Sequence, residues 1–471
     1  MKNRDLMSKG NPFKAVIVFS IPSIIGMLVN SIYNIVDKMF IGNYVSPVAL
    51  AGLQVVNPIT ILWFGVLVVF GIGGSSYASN KLGEKKDEEA NKVFNNAIVL
   101  STITSLVFMV LFYIFYDPLL KLGGVLPENY TYAKEYFLIY ISGFFFQSLA
   151  YLFMMSIRSE GRPAFAMISQ VTGFVVNIVF DYLFIVVFHM GVKGAAIATV
   201  MGNIANFMVG LYFYFFSKKN YFKISLKDMK LNKEYVSQIL SIGVSSMVLN
   251  FCTAISVFVF NNVLKKYDNA LSILGILSSL GTLCFMPLVG IRQGLLPLFS
   301  YNYGDKNNKR IFKLYNAGAF YGILYGVIIS LIMSLFPAFF INLFVENAET
   351  AIISEAVRIS RFYYAGVILI AVNMNTSALY QSTRQKVKAI LLSMMRQFLF
   401  LIPSIYILDA IFMSEGVWAA TPVSDFLSAL ISFLFFITTY IVFKKTGYLS
   451  LRDMKNNKKS EEDLVDCRNY S

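Results

Sequence analysis

The chain contains two copies of one unit, and this duplication constrains its fold more than any other feature. Residues 20 to 95 align with residues 241 to 316 at a constant offset of 221 without a gap. The identical pairs include Ser20 and Ser241, Leu53 and Leu274, Leu62 and Leu283, Gly73 and Gly294, Gly83 and Gly304, and Asn95 and Asn316. Later the offset becomes 222, where Gly194 meets Gly416 and Thr199 meets Thr421. The repeat therefore predicts two lobes of the same architecture.

Apolar runs long enough to cross a bilayer recur twelve times, six in each copy. With 57% hydrophobic and only 14% charged residues in 471, the chain is far from the soluble average, so it is an integral membrane protein. Six spans per copy is an even number, so both copies enter the membrane in the same direction. We therefore expect an all-α fold of twelve helices in two six-helix lobes, related by a pseudo-twofold axis along the membrane normal.

The domain boundaries follow from these runs. We expect a first lobe over 1–216, a linker over 217–235 with several lysines, a second lobe over 236–443 and a disordered tail over 444–471. The twelve runs lie at 13–37, 48–76, 93–116, 134–157, 164–188, 192–216, 236–262, 270–298, 315–341, 358–380, 387–409 and 416–443.

The net charge of +14 indicates how the protein is oriented in the membrane, and not that it binds nucleic acid, because the basic residues lie in short connections between apolar runs. Counted by side, 30 Lys and Arg fall on the side of the N-terminus and seven on the other. The positive-inside rule then places both termini in the cytoplasm. We expect a multi-pass protein of the plasma membrane that contacts lipid and has no nucleic-acid partner.

Two carboxylates within the spans, Asp37 and Asp181, are the main candidates for a functional site. Burial of a charge in hydrocarbon is expensive, so such residues favour function. Asn177 lies one turn before Asp181 on the same helix face. Counting residues along the sixth helix places Thr199 at a matching depth. Asp37 reaches this level only if the first helix is long, tilted or kinked at Pro22.

A polar stripe on the first helix supports this site. Asn30, Tyr33, Asn34 and Asp37 recur at helical spacing and must face protein or water. Carboxylate, amide and hydroxyl oxygens without His or Cys suit Na⁺ or a proton and not a typical zinc or copper site. We expect no other cofactor. The alternative is that these polar groups only join helices to one another.

The second copy lacks these carboxylates at the equivalent positions, which are Phe258 and Pro403. We therefore expect the carboxylates in one lobe only. The second lobe offers Arg396, for which a lipid or substrate anion, a carbonyl and an interfacial phosphate are all open as partners. The wall of the substrate cavity is predicted to comprise Asn30, Tyr33, Asn34, Met154 and Arg396.

Several segments resemble the multidrug and toxic compound extrusion (MATE) family. They are NSIYNIVDKMFIG at 30–42, GIGGSSYASNKLGEKK at 71–86, IRSEGRP at 157–163, VNIVFDYLFI at 176–185, GVKGAAIAT at 191–199 and GIRQGLLPLFSYNYGDKN at 290–307. The resemblance implies two bundles that rock between outward-open and inward-open states and expel organic cations against a sodium or proton gradient. It also implies a monomer and a role in antibiotic resistance.

The resemblance carries over residue by residue. The family's first-helix aspartate matches Asp37, and its bent first helix matches Pro22. Its fifth-helix asparagine and aspartate match Asn177 and Asp181, and its sixth-helix threonine matches Thr199. Met154 departs from the family, since many relatives have an asparagine there. The seventh and tenth spans lack the carboxylates that some members use, so no coupling is expected through the second lobe.

Three functions compete at this stage. A multidrug antiporter driven by Na⁺ or H⁺ is favoured. A flippase for lipid-linked saccharides would need a broadly basic cavity, whereas two acidic residues against Arg396 are expected here. A membrane enzyme is disfavoured, because the sequence has no nucleophile with its base, no metal cluster and no phosphate loop.

Overall fold

The computed structural model describes residues 2–217, 220–344, 350–450 and 454, which form helices and no strand. We number the spanning helices first to twelfth in chain order. Their bounds are Pro12–Tyr44, Pro47–Gly83, Asp87–Ile114, Tyr130–Ser142 with Phe144–Ser159, Pro163–Val187, Gly191–Phe216, Lys233–Leu264, Ala270–Gly304, Asn308–Leu335, Thr350–Tyr363 with Val367–Ser382, and Lys386–Thr446 for the last two.

The starts of several spans are set by capping residues. Asn11 accepts a hydrogen bond from the Phe13 backbone at 2.9 Å, and Ser46 accepts one from Ala49 at 3.0 Å. In both cases proline occupies the first turn, where its missing N–H costs no hydrogen bond. Short polar caps next to proline therefore fix where the chain enters the membrane.

Two breaks complete the count of spans. The two segments of the fourth helix meet at a bend of 53°. The 61-residue helix Lys386–Thr446 contains Met413, whose φ of 52° and ψ of −136° are not helical and divide it into the eleventh and twelfth spans. Among the described residues this gives twelve spans, the number that the sequence predicts.

The lobes meet mainly along two pairs of spans, the first against the eighth and the second against the seventh, and also where the second span crosses the eighth. The repeat maps the first span onto the seventh and the second onto the eighth, so a twofold operation exchanges these two pairs. The contacts thus show the predicted pseudo-twofold axis. We call the side of the linker the inner side, following the charge prediction.

Glycines allow the close approach at this seam. A Cβ at Gly73 would overlap the carbonyl oxygen of Ile239, and one at Gly243 would overlap that of Val69. Where the first and eighth spans cross, a Cβ at Gly290 would lie 2.7 Å from the Ile24 backbone. The repeat mates Gly83 and Gly304 similarly face carbonyl oxygens of Tyr301 and Asn80. Backbones in direct contact therefore close the inner side.

We expect Gly243→Leu to hold the lobes apart on the inner side, because no side-chain movement can relieve an overlap with a backbone carbonyl. The measurement is maleimide labelling of a cysteine placed at Ser79, which is buried at the seam, in a background without the native cysteines. Labelling should rise several-fold over the parent. Gly275→Leu is the matched control, since a Cβ at Gly275 meets no atom within 4 Å. Equal labelling in both variants would contradict the proposed seam.

The linker is bound to the first lobe. Asn95 donates to the Lys223 carbonyl at 2.8 Å and accepts from the Ser225 backbone at 2.9 Å. Asn96 donates to the Lys230 carbonyl at 3.1 Å. Two helices extend beyond the boundaries predicted for the second lobe. The seventh helix begins at Lys233, within the range 217–235 expected for the linker, and the last helix ends at Thr446, beyond the expected end at 443. Most of the expected tail lies outside the described residues.

Glu160, between the fourth and fifth spans, also holds the linker. Its carboxylate accepts a hydrogen bond from the Tyr221 backbone at 2.8 Å, and only 4% of the residue is exposed. Burial raises the pKa of this carboxyl from an ordinary value of 4.5 to about 8, even though the backbone donors favour the charged form.

This pKa makes stability depend on pH. Because the folded pKa is above the unfolded one, the contribution of Glu160 is fully present below the unfolded value of 4.5 and is lost as pH rises through about 8. Glu160→Gln should remove that loss, so its melting temperature should exceed that of the parent at high pH and match it at low pH. Thermal unfolding of purified protein checks this, with the exposed Glu88→Gln as control. Parallel pH profiles for parent and Glu160→Gln would refute it.

Candidate cation-coupling site

The four residues predicted for the cation site come together in the first lobe. Asn177 and Asp181 lie on the fifth span, where 2% and 0% of their surfaces are exposed, and Thr199 lies on the sixth. Asn177 Nδ2 lies 3.5 Å from Thr199 Oγ1. The carboxyl group of Asp37, on the first span, interacts electrostatically with that of Asp181. Three spans thus supply one compact group of oxygens.

Local structure explains how the fifth and sixth spans approach so closely. A Cβ at Gly173 would lie 2.8 Å from the Gly202 carbonyl oxygen, and one at Gly202 would lie 2.9 Å from Asn177 Cβ. These glycines allow Asn177 to reach Thr199. Directly after Asp181 the fifth span becomes a π-helix, Tyr182–Val187. Such segments occur frequently at functional sites, because they redirect side chains within a helix.

The chemistry of the group fits a cation. Four buried oxygens, Asp37 Oδ1, Asn177 Oδ1 and both carboxylate oxygens of Asp181, accept no hydrogen bond from the described part of the chain. Two facing carboxylates cannot bond each other without a proton, and burying both as anions is unfavourable. A shared proton or a Na⁺ ion coordinated by these oxygens would remove that cost.

Pro22 lies inside the first span, which is continuous over 33 residues in this structure. At about 1.5 Å per residue such a helix is roughly 50 Å long, so it can carry Asp37 to the depth of Asp181. The first helix is therefore long enough to bring Asp37 level with Asp181, which was one of the conditions expected from the sequence.

A cavity of about 1360 Å³ lies between the lobes. Of the residues expected on its wall, Asn30, Met154 and Arg396 line it, whereas Tyr33 and Asn34 do not. Tyr33 instead stacks on Phe174, a lining residue, with ring centroids 5.0 Å apart. Asn34 donates to the Asn30 carbonyl at 2.7 Å.

The charge of the cavity differs from the expected one. Neither Asp37 nor Asp181 lines it, because both face the packed interior of the first lobe. Among the described residues the charged lining groups are all basic: Lys38, Lys265, Arg292 and Arg396. The expectation of two acidic residues against one arginine is therefore wrong for the cavity wall, since depth along a helix does not tell which face opens to the cavity.

Comparison with known families settles the relationship. The MatE family model matches residues 22–183 and 241–407, one segment in each copy of the repeat. The chain belongs to the MatE family. It is 25% identical over 439 residues to the multidrug export protein MepA of Staphylococcus aureus, covering 92% of this chain and 96% of MepA. It is 28% identical over 308 residues to MepA of Staphylococcus haemolyticus, 64% of this chain and 68% of that protein.

Solved structures share the fold. A crystal structure of MATE in complex with MaL6 superposes with a TM-score of 0.91 at 24% identity, over 95% of this chain and 100% of that one. A MOP superfamily transporter from Pyrococcus furiosus, described as having a binding pocket of reverse polarity, superposes with a TM-score of 0.87 at 24% identity, over 92% and 97%. These likenesses confirm the predicted two-lobe, twelve-helix membrane fold.

The MatE chain also has site residues that sequence reasoning missed. Tyr136, on the fourth span, is 9% exposed and interacts with Asp37, Tyr33 and Thr199. Its position in an aromatic-rich run carried no signal of this role. The packing of its helix segment, Tyr130–Ser142, against the sixth span brings it to the carboxylates.

The second lobe of this MatE protein contains a carboxylate after all. Asp425, on the twelfth span, is 2% exposed, and its Oδ1 accepts a hydrogen bond from Arg396 Nε at 2.7 Å. The expectation of carboxylates in one lobe only is therefore wrong for the lobe as a whole. The ion pair also answers which partner Arg396 has, and it was not among the three alternatives. A helical reading of the run SDFLSAL after Thr421 could have found Asp425.

Proposed function

We propose that this MatE protein is a secondary active exporter that moves small organic compounds out of the cell in exchange for Na⁺ or H⁺. The multidrug export activity in the name of MepA supports the direction and the kind of substrate. The unpaired oxygens of Asp37, Asn177 and Asp181 support the cation. We also propose cytoplasmic termini, a plasma-membrane location and a monomeric state.

The observation that carries the coupling is the position of the first span. Asp37 belongs to the cation site, while Asn30 and Lys38 of the same helix line the cavity. Tyr33 adds a second link through its stacking on Phe174. A movement of this helix on cation binding therefore changes the cavity wall. Antiport needs only that cation and substrate favour different positions of the helix.

The arrangement of the lobes supports an outward-facing state. Glycine contacts close the inner side, and the cavity extends toward residues at the opposite ends of the spans, including Gln54 and Leu271. In the proposed cycle, a cation entering from outside binds at Asp37 and Asp181 and accompanies substrate release. Reopening of the glycine seam then exposes the cavity to the cytoplasm.

The proposal is tested by ethidium efflux from preloaded bacteria that lack other exporters, with sodium and external pH varied independently. Efflux that rises with external sodium at fixed pH names Na⁺, and efflux that rises with external acidity at fixed sodium names H⁺. Ethidium is a flat cation, so it also tests the expectation of cationic substrates, which would bind the aromatic lining through cation–π contacts. Efflux indifferent to both gradients would overturn the proposal.

One observation favours a second candidate. The basic cavity lining is what a flippase for lipid-linked saccharides would need to hold a pyrophosphate. Vesicles containing a labelled polyprenyl pyrophosphate sugar test this directly. Protein-dependent transfer of the label between leaflets, without any effect of a cation gradient, would favour the flippase over the exporter.

A further inference from the structure

The floor of the cavity holds two arginines that have no carboxylate partner in the described part of the chain. Arg292, on the eighth span, lines the cavity and is 8% exposed. Arg158, on the fourth span, is 1% exposed and lies behind the lining residue Gln293, whose Oε1 accepts from Arg158 Nη1 at 2.6 Å. Both guanidinium groups interact electrostatically with the hydroxyl group of Tyr151, another lining residue. Each lobe thus contributes one cation to the same place.

The other contacts of these arginines leave their charge uncompensated. Arg292 Nη2 donates to Gln381 Oε1 at 2.9 Å, and neither arginine forms an ion pair with a described residue. Arg158 Nε and Nη2 are buried and lack any hydrogen-bond partner among the described atoms. Arg396, on the cavity wall, differs because Asp425 neutralises it. An unpaired buried cation is expensive, so this floor favours an anion.

The floor is also rigid before anything binds. Gln381, which holds Arg292, donates through Nε2 to the Ser246 hydroxyl at 2.8 Å and to the Ile242 carbonyl at 3.1 Å. The guanidinium group of Arg292 is therefore fixed by the tenth and seventh spans, and binding an anion requires little reorganisation. Preorganised guanidinium groups bind carboxylates and phosphates through charge-assisted hydrogen bonds.

The rest of the cavity indicates what accompanies the anionic group. Lys38 and Lys265 lie toward the outer mouth and are exposed, so positive potential extends from the entrance to the floor. Between them the wall contains the aromatic rings of Phe64, Phe174 and Phe285. A flat apolar body would pack against these rings while its acidic group reaches the floor.

We propose that the cavity binds aromatic compounds that carry a carboxylate or a phosphate, and that Arg292 with Arg158 behind it receives this group. The inference rests on the proposed function only in taking the cavity as the place where substrate binds. The anionic group can belong to a small organic compound or to a lipid headgroup, and the two sources are separated below.

The test is binding of one rhodamine dye as its free acid and as its methyl ester, which differ by a carboxylate. Fluorescence anisotropy is measured with full-length protein in phosphatidylcholine nanodiscs. The parent should bind the acid about ten-fold more tightly than the ester, the value of one charge-assisted hydrogen bond. Arg292→Gln should abolish this preference and leave ester binding within about two-fold. Arg292→Lys should retain part of the preference, and the exposed Arg358→Gln should retain all of it.

The remaining outcomes are equally definite. Equal binding of acid and ester by the parent, or an unchanged preference in Arg292→Gln, would overturn the inference. Ester binding by Arg292→Gln shows that its cavity is folded. If phosphatidylglycerol in the nanodisc displaces the acid from the parent, but does not weaken the residual binding of the acid to Arg292→Gln, the site holds and its occupant is a lipid phosphate. Because the assay uses no gradient, its failure is distinct from failure of cation-coupled efflux.

Discussion

Replacing Asp181 with asparagine is expected to reduce gradient-driven efflux about 10- to 100-fold, a range set by typical coupling energies between two sites. Asparagine has nearly the same shape but cannot release a proton or offer a second anionic oxygen. The cation site would then keep one carboxylate, Asp37, and bind its cation weakly. The measurement is the initial rate of dye efflux from cells at matched expression, with the gradient imposed and then collapsed.

The control for this prediction is Asp117→Asn. Asp117 lies in the connection after the third span and pairs with Lys121 at 2.6 Å, far in sequence from the three spans of the site. Its replacement should leave efflux unchanged. If Asp181→Asn exports dye as fast as the parent and with the same dependence on the gradient, the carboxylate pair does not couple transport.

Breaking the ion pair of the second lobe should have the largest effect on stability. Arg396→Met leaves Asp425, which is 2% exposed, without the cation that neutralises it. Removing one partner of a buried pair costs about 3–5 kcal/mol, because the other charge remains buried. Thermal unfolding of the purified protein should show a large drop in melting temperature for this variant.

A double variant separates the loss of the pair from the loss of packing. Arg396→Met with Asp425→Leu removes both charges and keeps the side-chain volumes similar, so most of the lost stability should return. Equal melting temperatures for the single and double variants would show that the Arg396 side chain contributes through its contact with the Phe285 ring, and not through its pairing with Asp425.

The sequence was sufficient to predict the features that depend on helical periodicity and on depth in the membrane. Asn177 and Asp181 are one turn apart, so any helix places them on one face. Thr199 follows a short connection, so the antiparallel sixth span returns it to the same level. Apolar runs and an even number of spans per copy likewise determine the two-lobe fold, because a bilayer admits few alternatives.

The parts that sequence reasoning missed depend on rotation about helix axes. Tyr136 interacts with Asp37 through the packing of the fourth span on the sixth. Arg396 meets Asp425 through the packing of the eleventh span on the twelfth. The basic cavity follows from which face of the first span turns inward, since Asp37 and Lys38 are adjacent in sequence and point to different surroundings. None of these rotations is encoded in a single helix.

The hydrogen bonds between the linker and the third span have a mechanical consequence for the two lobes. Asn95 and Asn96 hold the chain up to Asn232 against the first lobe. The described part of the linker therefore belongs to the first lobe, so in the proposed cycle the lobes would pivot at Lys233 and not at the end of the sixth span. A cut of the chain at Lys233 would therefore leave the linker attached to the first lobe and free the second lobe from it.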